Sequence, residues 1–145
     1  MAFRFPLATV LRFRASVERR EDLALQKIIL EMARMRRAIE HLTAEIAVQE
    51  EARIKAMLVS LPAFRLQTML MEIEATADRR AALLESLAGL ERQREIQTRA
   101  YQAAHRDRQM LSDMSTRQRD AYDQDRVRAE QKFLDDIFTA RAQRG

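Results

Sequence analysis

Hydrophobic residues between positions 25 and 46 recur at intervals of three and four without an exception. They are Leu25, Ile28, Met32, Met35, Ile39, Leu42 and Ile46. This alternation fills the a and d positions of a heptad repeat and gives a helix a narrow apolar stripe that suits one partner helix. The run therefore predicts a long helix of a coiled coil, paired either within one chain or between two chains.

A first helix is predicted over about residues 7–59. Pro6 favours a start here, because the first helical turn does not use the amide hydrogen that proline lacks. After Ile46 the apolar line is expected to shift by one position, which would change the winding of the coil. The shifted line consists of Ala47, Ile54, Met57 and Leu61.

One interior turn is predicted at Ser60, Leu61 and Pro62, since a proline disfavours helical backbone in the residue before it. A second helix is predicted over about residues 62–140. Within it, Gly89 is the one weak point, and a single glycine costs a helix roughly 1 kcal/mol. Long helices on either side of one turn are therefore expected.

The stripe of the second helix is most apolar at residues 83–90. A turn near residue 61 sets this segment opposite residues 32–39, so the most apolar parts of the two helices meet. The match predicts an all-α fold, an elongated antiparallel two-helix coiled coil that forms a single domain over residues 1–145. Charges on the stripe would weaken the pairing or face a second partner. They are Arg80, Arg94 and Arg108.

The second helix is predicted to be the longer one, so residues from about 122 onward overhang without an opposite helix. This segment still carries large apolar residues, and exposed apolar patches usually mark interaction sites. They are Val127, Phe133, Leu134, Ile137 and Phe138. Together with the N-terminal segment, the overhang is a predicted binding end.

Composition favours the same class of protein. Charged residues make up 33% of the chain, and only two glycines and two prolines are present, which is typical of long helices. The absence of cysteine excludes disulfides and thiolate ligation and indicates a cytoplasmic protein. No signal peptide and no membrane-spanning run of about 18 apolar residues is evident, so any membrane association is expected to be peripheral.

The net charge of +4 is concentrated at the N-terminus, where residues 1–20 carry five arginines and one glutamate. Docking onto an acidic protein is the favoured interpretation, and an anionic membrane surface is the second. Nucleic acid is disfavoured, because acidic residues return from Glu18 to Asp22 where a basic DNA-binding region would need to stay free of them.

No pattern of catalytic or ligand-binding residues is present. The two histidines, His41 and His105, lack metal spacing, and the acidic pairs at 50–51 and 135–136 are typical of a solvated helix face. We therefore expect no enzyme activity, no cofactor and no metal site.

Both ends of the chain resemble the FliJ-type proteins of the bacterial flagellar type III export apparatus. The resemblance rests on Phe3-Arg-Phe5-Pro-Leu7-Ala-Thr-Val10-Leu11, on two helices with one central turn, and on Arg128-Ala-Glu130-Gln-Lys132-Phe-Leu134-Asp135-Asp-Ile137. It implies a stalk that promotes assembly and activity of the hexameric export ATPase and connects it to the cytoplasmic domain of the export gate at the inner membrane. It also implies escort of export chaperones. The residues expected to face the ATPase are Phe3, Arg4, Phe5, Leu7, Arg128, Glu130, Lys132, Leu134, Asp135 and Ile137.

For the export gate, the candidates are successive stripe positions at which the core turns polar. They are Leu42, Ile46, Gln49 and Arg53. A merely weakened coil explains these positions equally well. The alternative function for the whole chain is a generic cytoplasmic coiled-coil scaffold or a peripheral membrane adaptor.

Overall fold

Two long helices make up nearly the whole of the computed structural model, which describes residues 2–145. Helix α1 spans Ala8–Leu58 and helix α2 spans Ala63–Arg144, and the described residues contain no strand. The helices pack together as a hairpin. The predicted all-α, two-helix fold with its turn near residues 60–62 is confirmed.

The turn between the helices contains one residue with a left-handed backbone conformation. Ser60 has φ of 59° at the end of α1, a position usually taken by glycine or asparagine. Pro62 then opens α2, and its carbonyl oxygen accepts hydrogen bonds from the amides of Arg65 at 3.0 Å and Leu66 at 3.4 Å. The proline supplies a fixed φ at a position where its missing donor costs nothing.

The hairpin comprises two compact units. The terminal unit contains the residues up to Glu21 together with Tyr101–Gly145, and the turn unit contains Asp22–Ala100. Each unit therefore holds a segment of both helices.

In the turn unit, the predicted stripe forms the seam between the helices. All seven residues of the 25–46 run are buried or half-buried, and Met32 is 1% exposed. On α2, Ile73 and Leu90 are buried, and Thr76 is fully buried. Side-chain contacts across the seam include Arg80 Nη1 to Thr43 Oγ1 at 3.5 Å, so the antiparallel pairing is close to the predicted register.

The predicted shift after Ile46 is wrong. The three-and-four spacing continues through Gln49, Arg53 and Ala56, which are half-buried or buried. The gate candidates Gln49 and Arg53 are predicted positions of this same line, and they keep their place in the seam because long side chains can lay their aliphatic stems along it. The supposed shifted positions Ala47, Ile54 and Met57 are exposed.

One predicted stripe position on α2 also differs. Arg94 is exposed, whereas Arg80 and Arg108 are half-buried. A long cationic side chain at the edge of a seam reaches water readily, and nothing in the described structure pairs Arg94 with an acid.

Candidate functional site

The N-terminal segment is held against α2 by an aromatic contact. The rings of Phe3 and Tyr122 lie with their centroids 5.7 Å apart and their planes tilted by 44°. Phe3 and Phe5 are half-buried, whereas Arg4 and Leu7 are exposed. Of the four predicted N-terminal contact residues, the arginine and the leucine are thus the more accessible to a partner.

Beyond Tyr122, α2 presents an exposed surface on almost every side. Arg128, Glu130, Lys132, Leu134 and Asp135 are all exposed, and Ile137 alone in this stretch is half-buried. Large apolar side chains stand in this surface with about half to two thirds of their area exposed. They are Val127, Phe133, Leu134 and Phe138. The predicted overhang is present, and its apolar side chains have no covering helix in the terminal unit.

The two groups of predicted ATPase-facing residues belong to the same unit. In the part of the chain that the structure describes, no hydrogen bond or ion pair joins residues 3–7 to residues 128–137. The fold therefore places the two groups in one unit without polar contacts between them.

Most of the N-terminal positive charge is also available. Arg14 pairs with Asp107 at 3.4 Å and Arg20 with Glu21 at 3.7 Å. The remaining three arginines of the first twenty residues form no ion pair within residues 2–145. They are Arg4, Arg12 and Arg19.

A polar cluster that the sequence did not reveal joins the helices in the terminal unit. The Glu18 carboxylate accepts a hydrogen bond from Arg108 Nε and lies 3.0 Å from His105 Nδ1. The hydrogen bond from Arg108, and then that from His105, lowers the pKa of Glu18, and the same Glu18 contact raises the pKa of Arg108. The one acid among the N-terminal arginines thus has a structural role. The sequence places Arg108 on the stripe but does not identify Glu18 as its partner.

The four predicted gate residues all lie in the seam of the turn unit and are half-buried. Gln49 Nε2 donates to Thr76 Oγ1 at 3.2 Å, while Gln49 Oε1 is buried without a partner. Arg53 donates to Glu50 Oε2 at 3.0 and 3.2 Å. Leu42 and Ile46 therefore serve the intramolecular coil, and Gln49 and Arg53 form its polar part.

Beside them, the turn exposes apolar side chains that the heptad pattern does not single out. Leu58 is 81% exposed and Phe64 is 67% exposed. An apolar groove of about 240 Å³ lies next to these residues. It is lined by Arg53, Met57, Leu66, Gln67 and Leu70. The turn unit thus has a second surface suited to a macromolecular partner.

Two further properties of the described residues bear on the remaining functional classes. No group of three or more His, Cys, Asp or Glu side chains among them is arranged to hold a metal ion. None of the helices in that same part of the chain is both long enough and apolar enough to cross a membrane.

The fold and these surfaces define a helical-hairpin interaction protein. The family model described as "Flagellar FliJ protein" matches residues 3–145 of the chain. The chain therefore belongs to the FliJ family and is a component related to flagellar protein export. Comparisons with curated proteins and with solved structures found no match.

Proposed function

We propose that this FliJ-family protein is a non-enzymatic stalk that promotes assembly and activity of the export ATPase ring. The observation that carries the proposal is the unpaired end of α2, which exposes Phe133, Leu134 and Phe138 in the same unit as the basic N-terminus. Exposed aromatic and aliphatic side chains supply apolar contact area, and the arginines supply complementarity to acidic groups.

The proposed mechanism is allosteric. Two antiparallel helices of unequal length have no rotational symmetry, so a ring of identical subunits around them meets a different surface at each subunit. Differential contacts favour different subunit conformations, and this coupling favours assembly and sequential turnover. Residues 3–7 and 128–137 carry these contacts.

The turn unit is proposed to contact the cytoplasmic domain of the export gate. Gln49 and Arg53 lie in the polar part of the seam, and Arg53 also lines the apolar groove beside Leu66 and Leu70. In this proposal Arg53 presents its guanidinium group to the gate, with Leu42, Ile46 and Gln49 holding its helix in place. Escort of export chaperones is a further proposed role, and the site of action is the cytoplasmic face of the inner membrane at the flagellar base.

Co-purification distinguishes this function from a generic coiled-coil scaffold or a peripheral membrane adaptor. The full-length protein should retain the cognate export ATPase and, separately, the cytoplasmic domain of the gate. Truncation after Tyr122 should abolish ATPase retention and leave gate retention intact. Retention of neither partner by the full-length protein would contradict the stalk function.

A further inference from the structure

The outward face of α1 in the turn unit carries a second stripe, on the side of the helix opposite the seam. Its residues are spaced by four and three positions, which keeps them in line along the helix. They are Leu23, Lys27, Leu30, Arg34, Arg37 and His41. Every one of them is exposed, and the two leucines are 64% and 52% exposed. We name this surface the basic stripe.

The basic stripe has charge of one sign. Lys27, Arg34 and Arg37 form no ion pair within the described residues, although Glu31 and Glu40 lie within helical reach of them. Ala44 and Val48 continue the line without adding an acid, so the face carries formal charge +3. Its cations therefore remain available to an external acidic group.

The corresponding outward face of α2 differs. At every seventh position this face carries Asp78, Glu85, Arg92 and Arg99, two acids and two bases, all of them exposed. Mixed charge is the ordinary composition of a solvated helix face. The single sign of the α1 face is therefore a property of that face and not of the turn unit as a whole.

We propose that the basic stripe docks an acidic amphipathic helix of a partner protein. Three-and-four spacing is the geometry in which a second helix packs alongside the first. Leu23 and Leu30 would fill spaces between apolar side chains of the partner helix. Lys27, Arg34 and Arg37 would pair with its acidic residues and fix its register.

A lipid bilayer fits this face less well. A helix that lies in a membrane interface buries a broad apolar face and keeps its basic residues on the polar side. In the basic stripe Lys27 lies between the two leucines, and Arg34 and Arg37 follow them on the same line. Insertion of Leu23 and Leu30 among the acyl chains would move the Lys27 ammonium group toward the apolar region. A partner helix, in contrast, can place a carboxylate opposite each cation.

The surface is separate from the residues proposed to face the ATPase and the gate. None of residues 3–7, 128–137, Leu42, Ile46, Gln49 or Arg53 belongs to it. Failure of this inference therefore leaves the proposed stalk function unaffected, and the reverse also holds.

Fluorescence anisotropy with a labelled synthetic peptide tests the proposal on the full-length protein. The probe is a peptide of about three heptads with leucine at the a and d positions and glutamate beside them. A shuffled peptide of the same composition is the control for charge alone. The wild-type protein should bind the heptad peptide and not the shuffled one, and raised salt should weaken the binding.

Charge reversal at Lys27→Glu, Arg34→Glu and Arg37→Glu together should weaken binding of the heptad peptide about tenfold or more. Leu23→Ala with Leu30→Ala should weaken it several-fold while retaining the cations. The matched control, Arg65→Glu with Arg92→Glu and Arg99→Glu, changes three exposed arginines of α2 and should leave binding unchanged.

Three results would overturn the proposal. One is equal binding by the wild type and the charge-reversed protein, and another is equal binding of heptad and shuffled peptides. The third is binding to phosphatidylglycerol vesicles without binding to the heptad peptide, which would make this a lipid surface. If the triple reversal changes the circular dichroism, the leucine pair and Arg34→Glu alone decide the outcome.

Discussion

The ring of Phe3 packs on the ring of Tyr122, with 5.7 Å between the centroids. This contact fastens the extended N-terminal segment to α2 at the residue after which α2 is almost entirely exposed. Phe3 is thus a structural residue of the terminal unit, while Leu134 on the overhang, 52% exposed, has no such role. The two residues, both assigned to the ATPase-facing surface, should respond differently to mutation.

Phe3→Ala should lower the free energy of unfolding by about 1 kcal/mol through loss of the aromatic pair. Leu134→Ala should change it by less than about 0.5 kcal/mol, because an exposed substitution removes little packing. Helicity measured by circular dichroism should survive both changes, and binding to the export ATPase should weaken in both. A large loss of helicity in Leu134→Ala would place that residue in the coil instead of on a binding surface.

Gly89→Ala should stabilise the turn unit by about 1 kcal/mol. A Cβ atom built at Gly89 meets nothing within 4 Å, so the added methyl costs no clash and reduces the conformational freedom of the unfolded chain. Urea denaturation followed by circular dichroism measures the change. Ala82→Gly, an exposed substitution one heptad earlier, should lower stability by a similar amount. Destabilisation by Gly89→Ala would show that the glycine serves a packing or partner contact.

Gln49→Leu should raise the free energy of unfolding by about 1 kcal/mol. The substitution removes a buried, unpaired Oε1 atom from the seam. Thr76 Oγ1 remains satisfied, since it still donates to the Glu72 carbonyl oxygen at 3.0 Å. The control Thr76→Val leaves Gln49 Nε2 without its acceptor and should destabilise by about 1 kcal/mol or more. A loss of stability in Gln49→Leu would show that Gln49 contributes more to the seam than it costs.

The Glu18 cluster should make the terminal unit sensitive to acid. The Arg108 hydrogen bond lowers the pKa of Glu18 from about 4.5, so its stabilisation is complete above that pH and is lost as the pH falls through the lowered value. The stability difference between the wild type and Glu18→Gln should therefore be constant near neutral pH and shrink below about pH 4. Chemical denaturation across this range measures it. A difference that stays constant to about pH 2 would exclude a structural role for the carboxylate.

The sequence was sufficient for the helices, the turn and the apolar part of the seam, because the run from Leu25 to Ile46 obeys one spacing. After Ile46 the sequence allowed two continuations, one through Ala47 and Ile54 and one through Gln49 and Arg53, and only the packing against α2 shows that the second is the seam. The pairing of Glu18 with Arg108, 90 positions apart, depends on the register of both helices and has no local signal. Leu58, near the turn, is apolar but exposed, and hydrophobicity alone does not distinguish such a residue from one in the seam.

Steady-state turnover of the cognate export ATPase tests the central claim most directly. Full-length protein should raise ATP hydrolysis and shift the ATPase from monomer toward hexamer. A protein truncated after Tyr122 should do neither, although its turn unit is unchanged. Equal turnover with and without the full-length protein, at concentrations that saturate any complex, would contradict the stalk function.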